Sequence, residues 1–288
     1  MKIPFLGLPD HPQAKVALIP APLELTTSWK KGTSLAPLEI LKVSPNLEFF
    51  DEETKLEPYL FPGFYTFPIP ELSYNLEMAL KEISEMITQS LNLQRFPLII
   101  GGEHTLSLAA IRTLKKFYPY FRVLYLDAHP DLRDSYLGSK INHATVIRRI
   151  YEMGIPVLGI GIRTCSKEEW EFIIGENISL IGAQEFKEDI KTALSKIKEF
   201  IKESPFYLSL DMDVFDPSLA PGVGTPEPGG LTWEEFLKIL RELTSPFLIG
   251  MDIVETLPLP CHQITEYLVC KIIMKVSAYL ARSYESLA

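Results

Sequence analysis

Residues 126 to 134 read LDAHPDLRD and follow the apolar run RVLY. In an extended chain residues two apart point to the same side, roughly 6.6 to 7 Å from one another. Asp127, His129 and Asp131 would then line one patch at the end of a buried strand. Two carboxylates there repel unless a cation lies between them. A second stretch, SLDMDVFDPSLAPGVGTPEPGG at 209–230, repeats the spacing with Asp211 and Asp213. If the two stretches meet, four negative charges share one low-dielectric pocket, and burying them uncompensated would be very costly. Two divalent cations neutralise them by simple counting. His104, in GGEH behind Gly101 and Gly102, offers one imidazole and His129 another.

Six such groups, two nitrogens and otherwise carboxylate oxygens, suit a pair of hard or borderline ions. The oxygen majority favours Mn2+ over structural zinc, with iron, cobalt or nickel able to substitute. A two-metal centre lowers the pKa of a bridging water and supplies a nucleophile at neutral pH without a Ser or Cys triad. The chain accordingly has no GxSxG, no GxxxxGK[ST] and no GxGxxG after a strand. GIGIR at 159–163 reads as a tight strand end, and Asp216, before Pro217, as a turn residue.

The elements that must position these groups are legible as alternation. KVALIP (15–20), PLIIGG (97–102), RVLYLD (122–127), PVLGIGI (156–162), ISLIG (178–182), FYLSLD (206–211) and PFLIGMD (246–252) read as strands. Amphipathic stretches at about 75–94, 105–117, 143–153, 167–174, 186–203, 232–243 and 263–282 read as helices between them. Nearly continuous apolar strands separated by helices predict an α/β fold with a mainly parallel sheet covered on both faces. The proline-rich segment 44–74 reads as an irregular excursion. In such sheets ligands bind beyond the carboxyl ends of the strands. Four predicted strands end there in GGEH, DAHPD, DMD and DIVE.

Composition narrows the classes further. The chain has 288 residues, of which 47% are hydrophobic and 23% charged, enough for one large domain over 1–288. A net charge of -9 argues against a general nucleic-acid surface and mildly favours cationic ligands. The three cysteines, Cys165, Cys261 and Cys270, share no CxxC spacing, fit a reducing compartment and read as small buried residues. The N-terminus lacks the apolar core of a signal peptide and no run of 18 uncharged apolar residues occurs, so a cytoplasmic protein without a membrane anchor is expected.

GGEH, DAHPD, NHA, SLDMDVFDPSLAPGVGTPEPGGLT and DIVE occur in the order found in the ureohydrolase family of arginases, agmatinases and related guanidino or formimino hydrolases, which this chain resembles over most of its length. TPEPGGLTWEE and DLRDSYLG...NHATVIRR look more like prokaryotic agmatinases than arginases. The resemblance implies an arginase-like three-layer αβα fold with about eight strands, two Mn2+ ions per subunit, and a homo-trimer or homo-hexamer. It places His104, Asp127, Asp131 and Asp211 on one metal, and Asp127, His129, Asp211 and Asp213 on the other. Hydroxide would attack a guanidinium carbon, Asp131 would steer it and pass its proton to the departing amine, His143 would shuttle protons or touch substrate, and Glu255 would pair with the guanidinium.

Without the resemblance, His143 reads as a helix cap or buried histidine and Glu255 as a solvated or paired carboxylate. Specificity is expected from LRDSYLGSKIN (132–142), with Arg133 and Asp134 at the substrate or paired with each other, and Tyr136 and Lys140 as further candidates. Agmatine, giving putrescine, is the expected substrate, with aminopropylagmatine, giving spermidine, as the alternative. A noncatalytic guanidino-binding homologue would lack metal ligands, whereas all six are present. Two departures stand out. GGEH replaces the commoner GGDH, and after Glu255 the chain runs TLPLPCHQIT, with Cys261 and His262 roughly where relatives carry an aspartate.

Overall fold

Eight strands form one sheet in the order β2-β1-β3-β8-β7-β4-β5-β6, in a computed structural model that describes residues 1–285. They are β1 Val16–Ala21, β2 Phe64–Thr66, β3 Phe96–Gly101, β4 Arg122–Leu126, β5 Val157–Ile162, β6 Ser179–Gly182, β7 Phe206–Asp211 and β8 Leu248–Val254. Every pairing is parallel. The helices are α1 Ala36–Val43, α2 Leu76–Asn92, α3 Ser107–Phe117, α4 Val146–Glu152, α5 Lys167–Glu176, α6 Ala183–Glu188, α7 Ile190–Ile201, α8 Trp233–Leu243 and α9 Ile264–Glu285.

Alternation along the strands separates two cores. Val16, Leu18, Leu98, Ile100, Leu124 and Leu126 pack with α1 and α6 to α9. Ala17, Ile19, Ile99, Val123 and Tyr125 pack with α2 to α5 on the opposite face. Successive side chains of a strand point to opposite faces, so a sheet covered on both sides needs apolar residues at every position. β1, β3, β7 and β8 are buried throughout, which is why they read as unbroken apolar runs. The three-layer parallel fold is the one expected.

Three elements differ from the sequence reading. β2 lies inside the proline-rich excursion and holds only three residues, too few to show a period. α1 carries Pro37 in its first turn, where the missing N–H is one that a helix leaves unused. The single helix expected over 186–203 breaks at Asp189, whose backbone leaves helical geometry (φ -142, ψ 78) and whose side chain accepts from the Thr192 N–H to start α7. Among the described residues no helix is long and apolar enough to cross a membrane.

The excursion is tied to α9 by charge. Lys275 is only 2% exposed, and its ammonium lies 2.6 Å from Asp51, 3.0 Å from Glu52 and 3.6 Å from Glu53. Burial works to raise the Asp51 carboxyl, but Lys275 and Thr54 outweigh it and hold the group below its ordinary value. Arg241 likewise holds Glu53 down at about 2. Removing one partner of a buried pair costs about 3 kcal/mol because the other charge is left unpaired. Lys275→Met is therefore expected to lower stability by about that much at pH 7 in denaturant unfolding. A carboxyl depressed in the folded state stabilises above its unfolded pKa and loses that contribution as pH falls. The gap between wild type and variant should thus close through the acidic carboxylate range, and a pH-independent gap would contradict the ion-pair account.

Candidate metal centre

The four strands that end in polar motifs, β3, β8, β7 and β4, are consecutive in the sheet. Their carboxyl ends therefore deliver His104, Glu255, Asp211 with Asp213, and the 127–134 loop to one place. Behind β3 the chain presses against the loop after β1. A Cβ on Gly102 would lie 2.1 Å from the Leu23 carbonyl oxygen, so only glycine fits there.

Strand alternation is not what aims the carboxylates, contrary to the extended geometry expected from LDAHPD and LDMD. β4 ends at Leu126, and the His129 N–H turns back to donate to Asp127 Oδ1 at 2.6 Å. Asp131 then adopts the left-handed region at φ +49. After β7 a 3-10 turn, Met212–Val214, carries Asp213, whose N–H donates to Asp211 Oδ1 at 2.8 Å. The two turns are joined where the Ala128 N–H donates to Asp213 Oδ1 at 2.9 Å. Tight turns can curl three acceptors around one point, whereas a straight strand would leave them roughly 7 Å apart.

The result is two overlapping donor sets. His104 Nδ1 lies 3.2 Å from Asp127 Oδ2, 3.0 Å from Asp131 Oδ2 and 3.4 Å from Asp211 Oδ2. His129 Nδ1 lies 2.9 Å from Asp213 Oδ2 and 3.6 Å from Asp127 Oδ1. Asp127 thus turns one oxygen to each imidazole, and His104, Asp127, Asp131 and Asp127, His129, Asp213 form two groups spaced to hold a metal ion.

Electrostatics inside the cluster ask for positive charge. Burial raises Asp131, with Asp127 adding to it, to about 7. Burial likewise raises Asp211 and Asp213, with their neighbouring carboxylates adding to it. Burial opposes charge on His129, yet Asp127 and Asp213 push it up to about 12, and Asp127 with Asp131 raises His104 in the same way. What the carboxylates stabilise in both rings is a positive charge at the imidazole.

The hydrogen bonds behind His104 test whether a metal fits. Ser209 Oγ donates to Asp252 Oδ1 at 2.6 Å, and Asp252 also accepts from Ser107 Oγ (2.6 Å) and Tyr207 Oη (2.7 Å). With its proton spent on Asp252, Ser209 accepts from His104 Nε2 at 2.9 Å. In the neutral ring that a metal would bind, Nδ1 is then the lone-pair nitrogen, turned toward the carboxylate oxygens. His104 Nδ1 and Asp127 Oδ2 are buried without a hydrogen-bond partner, as two ligand atoms facing a shared cation would be.

Above the cluster lies a cavity of about 320 Å3 that His104, His129, Asp131, Asp211, Asp213, Glu255 and His143 all line. Glu255, at φ +61, accepts from the His104 N–H at 2.7 Å and donates its own N–H to the Gly102 carbonyl at 2.8 Å. Burial pushes its carboxyl up to about 8, a cost that a cationic ligand would relieve. The unusual TLPLPCHQIT segment holds to the 213–228 loop at Gly222: the Leu257 N–H donates to the Gly222 carbonyl, and the Gly222 N–H donates to Thr265 Oγ1. Burial lowers His143 to about 4, so its ring is neutral.

The 132–142 loop divides. Arg133 and Tyr136 line the cavity, with Arg133 over the Tyr136 ring at 5.1 Å and 3.8 Å from Glu169. Asp134 does not pair with Arg133 and is not a lining residue: it faces Arg149 at 3.1 Å and Lys140 at 3.3 Å. Asp216 accepts from Ser218 and Gly229 and so holds a turn, as its D-P step suggested. Of the cysteines only Cys270 is buried; Cys165 and Cys261 are exposed, and Cys165 lines the cavity. The reading of all three as buried fails because two of them fall in loops at the strand ends.

Several supporting residues escaped the sequence reading. Arg163, at the end of GIGIR, donates to the carbonyls of Asp213 (2.6 Å), Val214, Phe215 and Glu227 (2.8 Å) and ties the 213–228 loop to β5. Glu169 caps α5 through Ser166 and accepts from the Leu132 N–H at 3.1 Å, next to Asp131. Glu103, Ser209 and Asp252 complete the set. For Ser209 and Asp252 the available signal was a hydroxyl or charged residue inside a fully buried strand.

A family model described as the Arginase family matches residues 14–278, and the chain belongs to that family. It is an arginase-family ureohydrolase, an enzyme that hydrolyses C–N bonds. It is 35% identical to the N(1)-aminopropylagmatine ureohydrolase of Synechocystis sp., over 96% of this chain and 92% of that one. It is 32% identical to the agmatinase of Bacillus cereus, over 88% and 87% of the two chains. The crystal structure of the agmatine ureohydrolase of Thermoplasma volcanium superposes with a TM-score of 0.86 at 31% identity, covering 95% of this chain and 92% of that one.

Arg163→Met removes donors from carbonyls that the fold has taken from water, at about 1–3 kcal/mol for each group left unsatisfied. The expected result is a loss of at least about 2 kcal/mol in denaturant unfolding and new protease cleavage within 214–228. A variant as stable and as protease-resistant as the wild type would remove Arg163 from this role.

Proposed function

We propose that the protein hydrolyses the guanidinium group of agmatine, giving urea and putrescine, with two Mn2+ ions. The orphaned pair His104 Nδ1 and Asp127 Oδ2, with Asp127 turned to both imidazoles, carries the reading. His104, Asp127, Asp131 and Asp211 would hold one ion, and Asp127, His129, Asp211 and Asp213 the other. Bound there, the pair supplies a water acidic enough to act as nucleophile at neutral pH and neutralises the acidic cluster.

The chain's own groups do the rest. Glu255, fixed by the His104 N–H, pairs with the planar guanidinium and turns its carbon toward the cluster. Asp131 takes the proton of the attacking water and passes it to the amine nitrogen as the C–N bond breaks. The tetrahedral carbon collapses to urea, and the departing nitrogen leaves as a primary amine. His143, neutral and at the cavity wall, exchanges protons with solvent.

Aminopropylagmatine, giving spermidine, is the second reading, favoured by the Synechocystis relative that aligns over 96% of the chain. The cations at the wall are already answered, Arg133 by Glu169 and Lys30 by the face of Trp29 at 4.7 Å. Arg133 is therefore not set aside for a substrate carboxylate.

After Mn2+ loading, urea release should be fastest from agmatine or aminopropylagmatine and much slower from arginine and guanidinobutyrate. Preference for arginine would refute the polyamine assignment, and no turnover of any guanidino compound would refute the reading as a whole. Asp213→Asn should lower metal content from two ions toward one and nearly abolish turnover. Ser209→Ala, which removes the partner of His104 Nε2, should weaken metal binding about 10- to 100-fold by titration. Unchanged stoichiometry and affinity in both would mean that the ligand assignment is wrong.

A further inference from the structure

The 132–142 loop contains a turn that its own sequence disfavours. Tyr136 and Ser139 exchange both backbone hydrogen bonds, at 2.8 Å from the Tyr136 N–H and 3.0 Å from the Ser139 N–H. Between them Leu137 and Gly138 stand at φ +47 and +79, the pattern of a type I′ turn, whose first central position asparagine or glycine fills with little strain. A leucine is strained there. Its side chain is 76% exposed, so packing does not offset the strain.

The support comes from Asn142, which is buried. Its Nδ2 carries two hydrogens and donates to the Tyr136 carbonyl at 2.9 Å and to the Ser139 carbonyl at 3.0 Å, one on each arm of the turn. Its Oδ1 accepts from the Ala144 N–H at 3.0 Å and caps the 3-10 turn that leads into α4. Aspartate or serine would cap as well. Only an amide can cap and also donate to two carbonyls, so capping alone does not call for asparagine here.

What the clamp holds is Tyr136. Its half-buried ring lines the cavity, meets the His143 ring at 5.8 Å and 89°, and has the Arg133 guanidinium 5.1 Å from its centre.

We propose that Asn142 is a positioning residue that fixes the 136–139 turn, and that Tyr136 is the specificity-determining residue it presents, an aromatic wall for the methylene chain of the substrate. The proposal rests on the reading of the protein as a guanidino hydrolase. With the guanidinium on Glu255, the chain leaves the reacting end past His143 and meets the ring that touches it. A wall fixed before substrate arrives keeps the cost of ordering it out of the binding step.

Amide exchange and steady-state kinetics of the full-length, Mn2+-loaded protein test both parts. Exchange across 136–139 should be slow in wild type and much faster in Asn142→Ser and Asn142→Asp, while α4 keeps its protection because both variants still cap. In these variants and in Tyr136→Ala, KM for agmatine should rise about tenfold with kcat changed less than about twofold. Leu137→Asn makes the turn Asn-Gly and should restore both slow exchange and KM in the Asn142→Ser background. Asn142→Ser combined with Tyr136→Ala should be no worse than Tyr136→Ala alone.

Unchanged exchange and KM in both Asn142 variants overturn the proposal. So does a fall in kcat at constant KM, which would mean that Asn142 acts on His143 directly. Failure of Leu137→Asn to rescue makes Asn142 a cap only and overturns it as well. A wild type that releases no urea from any guanidino compound sinks the functional reading and the substrate wall with it, while exchange across 136–139 still decides the clamp.

Discussion

Four aspartate carboxylates and two imidazoles meet within a few ångströms at the end of the sheet, and the rest of the molecule is organised around the repulsion among them. Buried Asp131, Asp211 and Asp213 are all pushed toward the neutral acid, while both histidines are drawn toward positive charge. A cluster of this kind is stable only with a partner of opposite sign. Among the described residues, its two overlapping groups are the ones spaced to hold a metal ion.

Holding like charges together takes rigid support, and the sheet provides it. The four strands whose ends carry the motifs are neighbours, with helices packed on both faces, so the cluster rests on buried backbone rather than on mobile loops. Three of the candidate ligands have a partner behind them: Ser209 and Asp252 for His104, the Ala128 N–H for Asp213, Glu169 beside Asp131. Arg163 closes the far wall by collecting carbonyls of the 213–228 loop. These contacts convert a costly charge arrangement into one defined geometry, and two of them are themselves buried carboxylates answered by hydroxyl and amide donors.

The cavity above the cluster is built from different material. Its walls come from the loop after β1, the 132–142 loop and the turn into α5, connecting segments that the strand ends carry. Here Glu103 links the first of these loops to the strand that carries His104, so the substrate wall and the metal floor share one anchor. Specificity and chemistry are thereby mechanically connected across a single residue step.

What the sequence determined by itself was the chemistry and the class of fold. Acid and imidazole types at DAHPD, DMD and GGEH, each after a buried apolar run, required charge compensation and a parallel sheet, because both follow from local spacing and hydrophobic period. Only the tertiary structure decided how the groups converge. The turns at Asp127–Asp131 and Asp211–Asp213 bend the chain away from strand alternation, and hydrogen bonds between segments far apart in the chain choose those turns. The same holds for Asp134, which turned to Arg149 and Lys140 instead of its neighbour Arg133, and for Arg163, Asp252 and Glu103. Their partners lie across the sheet, in another element or on another loop, and no local pattern encodes a partner that distant.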